Sequence, residues 1–142
     1  MLPGDFEIKK IDENPDMNKY VEELKEDVHL SKGNILEKSL MVGSLRTKWL
    51  NYYFKEKDNY RRIKSVKERI IRSKVDSKVS DSLLRMKSED NISKNDENVI
   101  KLNKMMENVK ENLEFLEKAM NILNDFGFTV KNAIDIIKLE RL

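Results

Sequence analysis

The chain has 142 residues, enough for about one domain with a modest core. Charged residues make up 38% of it while glycines number four and prolines two, a balance that suits long solvated helices and disfavours a strand-and-turn fold. With no cysteine and a single histidine, His29, it excludes disulfides, thiolate metal sites, a cysteine nucleophile and a histidine pair sharing a metal.

The net charge of +2 conceals an uneven distribution. Basic against acidic residues number 6 to 10 over 1–43, 12 to 4 over 44–78, 2 to 1 over 79–88 and 8 to 11 over 89–142. A basic middle between acidic ends is the footprint of a polyanion-binding element, and also of a segment that pairs with its own flanks.

Residues 1–16 contain both prolines, Pro3 and Pro15, and show no sustained apolar period, which predicts an extended or mobile arm. Met17, Tyr20, Val21, Leu24 and Val28 follow helical spacing, so a first short helix is expected, ending near Lys32-Gly33 where the glycine can take a left-handed cap conformation. A second helical pattern runs from about Asn34 to about Leu84, crossed only by Gly43, at a cost of about 1 kcal/mol. Unbroken, it would reach ~75 Å, more than a compact domain of this size needs, so it is expected to lean on other subunits. The stretch from Ser88 to Asp96 reads as a polar connection, with Ser93 and Asp96 in the form of a helix cap. Residues 17–88 thus form a helical region with a basic face, and 89–142 a helical hairpin.

Within that hairpin, Val99, Leu102, Met106, Val109, Leu113, Leu116, Met120 and Leu123 are spaced 3, 4, 3, 4, 3, 4, 3, a heptad seam that demands a helical partner. The spacing fits an intramolecular bundle and an oligomerisation surface equally. Gly127 is expected to stop this helix and Thr129 to cap a last one, carrying Val130, Ala133, Ile134 and Ile137 back onto the seam.

No catalytic template is present: the chain lacks a Gly-rich phosphate loop, GxSxG, HExxH and any Cys/His ligand pair, and neither metal nor cofactor is expected. The carboxylate pairs Glu22-Glu23 and Glu26-Asp27 read as solvated surface charge, and His29 as a surface or helix-end imidazole. No apolar run approaches the ~18 residues of a membrane span and no signal peptide is recognisable, so a soluble intracellular protein is expected.

The basic block carries the functional signal. Lys48, Lys55, Arg62 and Arg69 recur every seven residues and form one cationic stripe on a helix, drifting by about 20° per step; Arg72, Lys74 and Lys78 extend it. Such a stripe tracks phosphates, and aromatic side chains beside it suit unstacked bases, a combination that favours single strands. Trp49 and Tyr53 fit that role and also fit helix packing, since Trp49, Tyr53, Tyr60, Ile63, Val66 and Ile70 lie close to a helical stripe of their own.

Four stretches together resemble the UvsY recombination mediators of T-even-like bacteriophages. Tyr20-Val21-Glu22-Glu23-Leu24-Lys25-Glu26-Asp27-Val28 is similar to the family's EELKKDV, Thr47-Lys48-Trp49-Leu50-Asn51 to its SKWLN, Ile71-Arg72-Ser73-Lys74-Val75 to a basic LKARL-type segment, and Gly127-Phe128-Thr129-Val130-Lys131 to its GFAIK. The resemblance covers roughly residues 17–140; residues 1–16 have no counterpart, and the order of the two cations in the basic segment is reversed. It implies an all-α, non-enzymatic protein assembling into a ring-like or open-barrel homo-oligomer in the cytoplasm of the infected bacterial host. It further implies single-stranded DNA, a phage UvsX-like recombinase and the phage single-stranded DNA-binding protein as partners. The family's DNA-contacting cations carry over to Arg72 and Lys74, and its C-terminal assembly region to the seam. An adaptor whose basic stripe docks an acidic protein is the alternative from another class.

Overall fold

The structure is a computed structural model that describes residues 14–76 and 82–141, and among these every regular element is an α-helix. In chain order they are α1 (Pro15–Asp27), α2 (Ile35–Asp76), α3 (Ser82–Asn95) and α4 (Glu97–Glu140). Residues 1–13, most of the expected arm, lie outside the described residues.

Helix α1 begins two residues before the expected position. Pro15 occupies its first turn, where a missing N–H costs nothing, and Asn14 caps it by accepting from Met17 N at 3.4 Å. The Asn14 amide also donates to Asn112 Oδ1 at 3.1 Å, both residues being buried. The helix ends at Asp27, earlier than the glycine cap predicts, and no described residue has a positive φ, Gly33 included. Side chains close this turn instead: Asn34 accepts from Ser31 N and donates to His29 O, while Lys38 Nζ donates to the carbonyls of Glu26 and Asp27. A cation on the last carbonyls of a helix satisfies orphan acceptors and meets the negative end of the dipole.

Helix α2 is continuous over the 42 residues Ile35–Asp76 and passes through Gly43; the expected continuation toward Leu84 runs through residues 77–81, which lie outside the described residues. The polar stretch 88–95 is helical rather than a connection, because one of its residues, Ile92, is buried with Val75 and Val99 and anchors α3. The break is confined to Asp96. Its Oδ1 accepts from Asn98 N and Val99 N at 3.0 and 3.1 Å, and the Ile92–Asp96 and Asp96–Ile100 backbone bonds remain, so Asp96 caps α4 without help from Ser93.

Helix α4 corrects the expected hairpin. It runs for 44 residues through Gly127, and Thr129 Oγ1 donates back to Asp125 O instead of capping a new helix. The core-facing positions Leu123, Phe126 and Val130 continue across the glycine without a change of face. Gly127 serves close approach: a Cβ there would meet the Arg46 guanidinium and lie 3.4 Å from Val42 Cγ1.

Two compact units result, one taking in the described residues up to Phe54 and from Asn112 onward, the other Lys55–Glu111. Helix α2 contributes residues 35–54 to the first and 55–76 to the second. The first unit is centred on Leu24, Leu45, Trp49, Leu116, Leu123 and Val130; the second holds Val75, Ile92 and Val99. All eight seam positions are buried or half-buried in the chain's own fold.

Candidate nucleic-acid interface

The cations singled out by sequence do not form one set. Lys48 lies in the first unit, where its Nζ donates to Asp27 Oδ2 at 2.6 Å and to Glu23 Oε1 at 3.1 Å. Burial, the largest influence, works to lower its pKa, but the hydrogen bonds and charges of Asp27 and Glu23 outweigh it and hold the ammonium above the ordinary 10.5. Trp49, fully buried, donates from Nε1 to the same Asp27 oxygen at 2.8 Å, and Tyr52 donates to Glu23 at 2.9 Å. Burial and that acceptor raise the Tyr52 phenol above 10.0. Lys48 and Trp49 are thus parts of a closed structural network. Tyr53 is half-buried, packs on the first core and donates to Glu117, so both aromatics pack.

The remaining cations lie in the second unit on α2. Lys55, Arg62, Arg69 and Arg72 are exposed. At 100° per residue they occupy one side of the helix, away from the half-buried Tyr60, Ile63 and Ile70. Arg62 pairs with Asp58 at 2.9 Å, an exposed i,i+4 contact worth only about 0.3–0.5 kcal/mol and readily exchanged for a phosphate. Lys55, Arg69 and Arg72 make no ion pair among the described residues. Arg61 joins them, exposed and only about 20° from Arg72 around the helix. It escapes the seven-residue stripe because its spacing to Arg72 is eleven, the signal that would find it. Tyr60 is half-buried, with Lys110 Nζ 5.8 Å from its ring centroid on one side.

Lys74 does not share this face. Two residues from Arg72, it points about 160° away and forms an ion pair with Asp96, the residue capping α4. The two cations carried over together are therefore separated by the helix, one outward and one engaged in the fold. Lys78 lies outside the described residues.

Two shallow grooves flank the ridge. One, about 440 Å³, is lined by Val66, Arg69, Ile70, Ser73, Lys74 and Asn98, with no carboxylate. The other, about 520 Å³, contains Glu68, Glu89 and Asp90 beside Arg72 and is unfavourable for a phosphate. Among the described residues no cluster of side chains could hold a metal ion, and no helix is long and apolar enough to cross a membrane.

Comparison with known proteins places this geometry. No curated protein sequence matches the chain. Crystal structures of the bacteriophage T4 recombination mediator protein UvsY share the fold: in one lattice the TM-score is 0.70 at 23% identity, covering 87% of this chain and 97% of that one. In another lattice the values are 0.68 and 22%, covering 88% and 97%. The profile of the family described as "Recombination, repair and ssDNA binding protein UvsY" matches residues 23–141. With that match spanning most of its length, the chain belongs to the UvsY family of phage recombination mediators.

Proposed function

We propose that this protein binds single-stranded DNA through the exposed face of α2 between Lys55 and Arg72, and promotes loading of a phage UvsX-like recombinase onto DNA covered by single-stranded DNA-binding protein. One observation carries the reading: Lys55, Arg61, Arg69 and Arg72 are exposed on one side of a helix with no carboxylate partner among the described residues. Ion pairing within the fold would have consumed them; unpaired, they are positioned for phosphates, each neutralised phosphate releasing counterions. The carboxylate-free groove beside Arg69 gives a base an apolar wall in Val66 and Ile70. The protein acts without catalysis, as a homo-oligomer in the host cytoplasm, its many weak faces holding a long strand by avidity.

Titration of fluorescent oligothymidylate and of an equal-length duplex across a salt series tests the binding. The expected result is preference for the single strand, steep loss with salt, and weakening by Arg69→Ala with Arg72→Ala. Absence of single-strand binding at low salt would make the face a docking surface for an acidic protein. Filament nucleation by the recombinase on coated DNA tests the mediator step, and no acceleration would sink it.

A further inference from the structure

Arg46 is seated by the fold, yet it makes no ion pair among the described residues. On α4, Gly127 leaves the space in which the Arg46 guanidinium lies, since a Cβ there would meet it. A glycine within a helix is destabilising, so this seat weakens the helix that provides it. The neighbouring lysines of α2 are used differently: Lys38 Nζ donates to the carbonyls of Glu26 and Asp27, and Lys48 Nζ to the carboxylates of Asp27 and Glu23. A guanidinium seated beside a glycine and left without a carboxylate is positioned for an anion from outside the chain.

Lys131 and Lys138 continue the line. They follow Gly127 by four and eleven residues, which at 100° per residue places all three positions within about 40° on α4. Both are exposed, and neither makes an ion pair among the described residues. A cation at Lys138 answers the helix dipole in the last turn of α4; Lys131, more than two turns earlier, has no such account. Together with Arg46 they line a groove of about 560 Å³ between α2 and α4 of the first unit. Its apolar surface comes from Val42, Val130 and Ile134, and from Phe128, which is 67% exposed. Among the described residues Asp135 is the one carboxylate that lines it.

An apolar groove edged by three cations and one carboxylate is complementary to apolar side chains flanked by acids. We infer that this groove docks an acidic amphipathic helix of another protein, with apolar side chains on Val42, Val130 and Ile134 and carboxylates on Arg46, Lys131 and Lys138. The Arg46 guanidinium lies level with Gly127, so the three cationic positions step along the groove by about 6 Å and then about 10 Å. Carboxylates four and then seven residues apart on one side of an incoming helix match those steps, and the arginine can take its carboxylate through two parallel N–H donors. A nucleic acid fits less well. Asp135 stands between Lys131 and Lys138 and repels a backbone charged at every nucleotide, whereas a peptide can set an uncharged residue opposite it. The groove belongs to the first unit and shares no residue with the basic face of 55–72, so the inference stands apart from the DNA-binding reading.

The probe is a fluorescein-labelled helical peptide with glutamates at that spacing beside a leucine face, accompanied by a version with glutamine in place of glutamate and by a scrambled version. Anisotropy titration against the full chain is expected to show binding of the first peptide, about tenfold weaker binding of the other two, and about tenfold weakening of the first by Lys131→Glu. A peptide with lysine in place of the facing glutamate is expected to recover binding to Lys131→Glu, which a loss of folding could not imitate. Arg46→Gln, with helix content checked by circular dichroism, is expected to weaken the first peptide and leave oligothymidylate affinity unchanged. No binding of the first peptide, or binding that ignores glutamate order and charge or survives both substitutions, would overturn the proposal. Weaker oligothymidylate binding by either variant would overturn it in favour of a nucleic acid, and a changed sedimentation coefficient in favour of a second copy. Peptide binding by a wild-type chain that fails to bind single strands would support the groove and overturn the DNA-binding reading alone.

Discussion

Asp27 illustrates how a residue read as surface charge can become structural. Its Oδ2 accepts from Lys48 Nζ and Trp49 Nε1, tying α1 to the buried indole. Asp27→Ala would leave the indole N–H short of an acceptor, at a cost of about 1–3 kcal/mol, so chemical denaturation should show a clear loss of stability with unchanged helical structure. The same network sets an alkaline limit. Lys48 and Tyr52 both have folded pKa values raised above their ordinary 10.5 and 10.0, so the folded state holds these protons more tightly than the unfolded chain. Their contribution is complete below the unfolded values and is lost as pH rises through the folded ones. Melting temperature should therefore fall above about pH 10, and Lys48→Met with Tyr52→Phe should flatten that fall. Sequence could place Asp27 on a helix beside Glu26, but not against Trp49, which is 22 residues away in the chain.

Arg72 and Lys74 stand two residues apart in the motif and are unlike in the fold. Arg72→Ala removes an exposed cation and should shift stability by no more than about 0.5 kcal/mol while lowering the salt slope of single-strand binding by about 0.7. Lys74→Ala takes away the partner of Asp96, whose side chain is 13% exposed, and should lower the unfolding midpoint as well as affinity. If the two variants prove equal in stability, Lys74 has no positioning role.

At the scale of elements, the periodicity of the apolar residues was enough to place helices, because burial on one face requires it whatever the partner. Ends were less legible. Gly33 and Gly127 both read as helix stops, yet neither takes a positive φ. A glycine meets several needs, and sequence does not say which: at Gly127 the need is space for Arg46. Gly127→Ala should be nearly neutral, since the flexible guanidinium can move and alanine recovers about 1 kcal/mol of helix propensity. Gly127→Leu should cost about 1–3 kcal/mol by pressing on Val42 as well. Thermal melts of the pair separate a packing glycine from a hinge, for which alanine would already be harmful. The polar stretch 88–95 is hard to read for a related reason: among the residues of α3 whose burial is described, Ile92 alone is buried, too sparse a pattern to register as a period.

For the molecule as a whole, the outer side of α2 changes chemistry along the helix, largely apolar over 36–54 and largely basic over 55–72. A handful of exposed cations per chain yields modest, salt-sensitive affinity. In an assembly such faces multiply, because a strand held by one copy meets the next at high effective concentration. This has a measurable signature. Arg69→Ala with Arg72→Ala weakens every face by the same amount, so on an oligonucleotide spanning one chain the loss should be modest. On a long strand, where several copies engage at once, the losses compound, and the deficit should grow toward the roughly 10²- to 10⁴-fold that avidity supplies. A deficit of one size at every strand length would mean that the copies bind the strand independently.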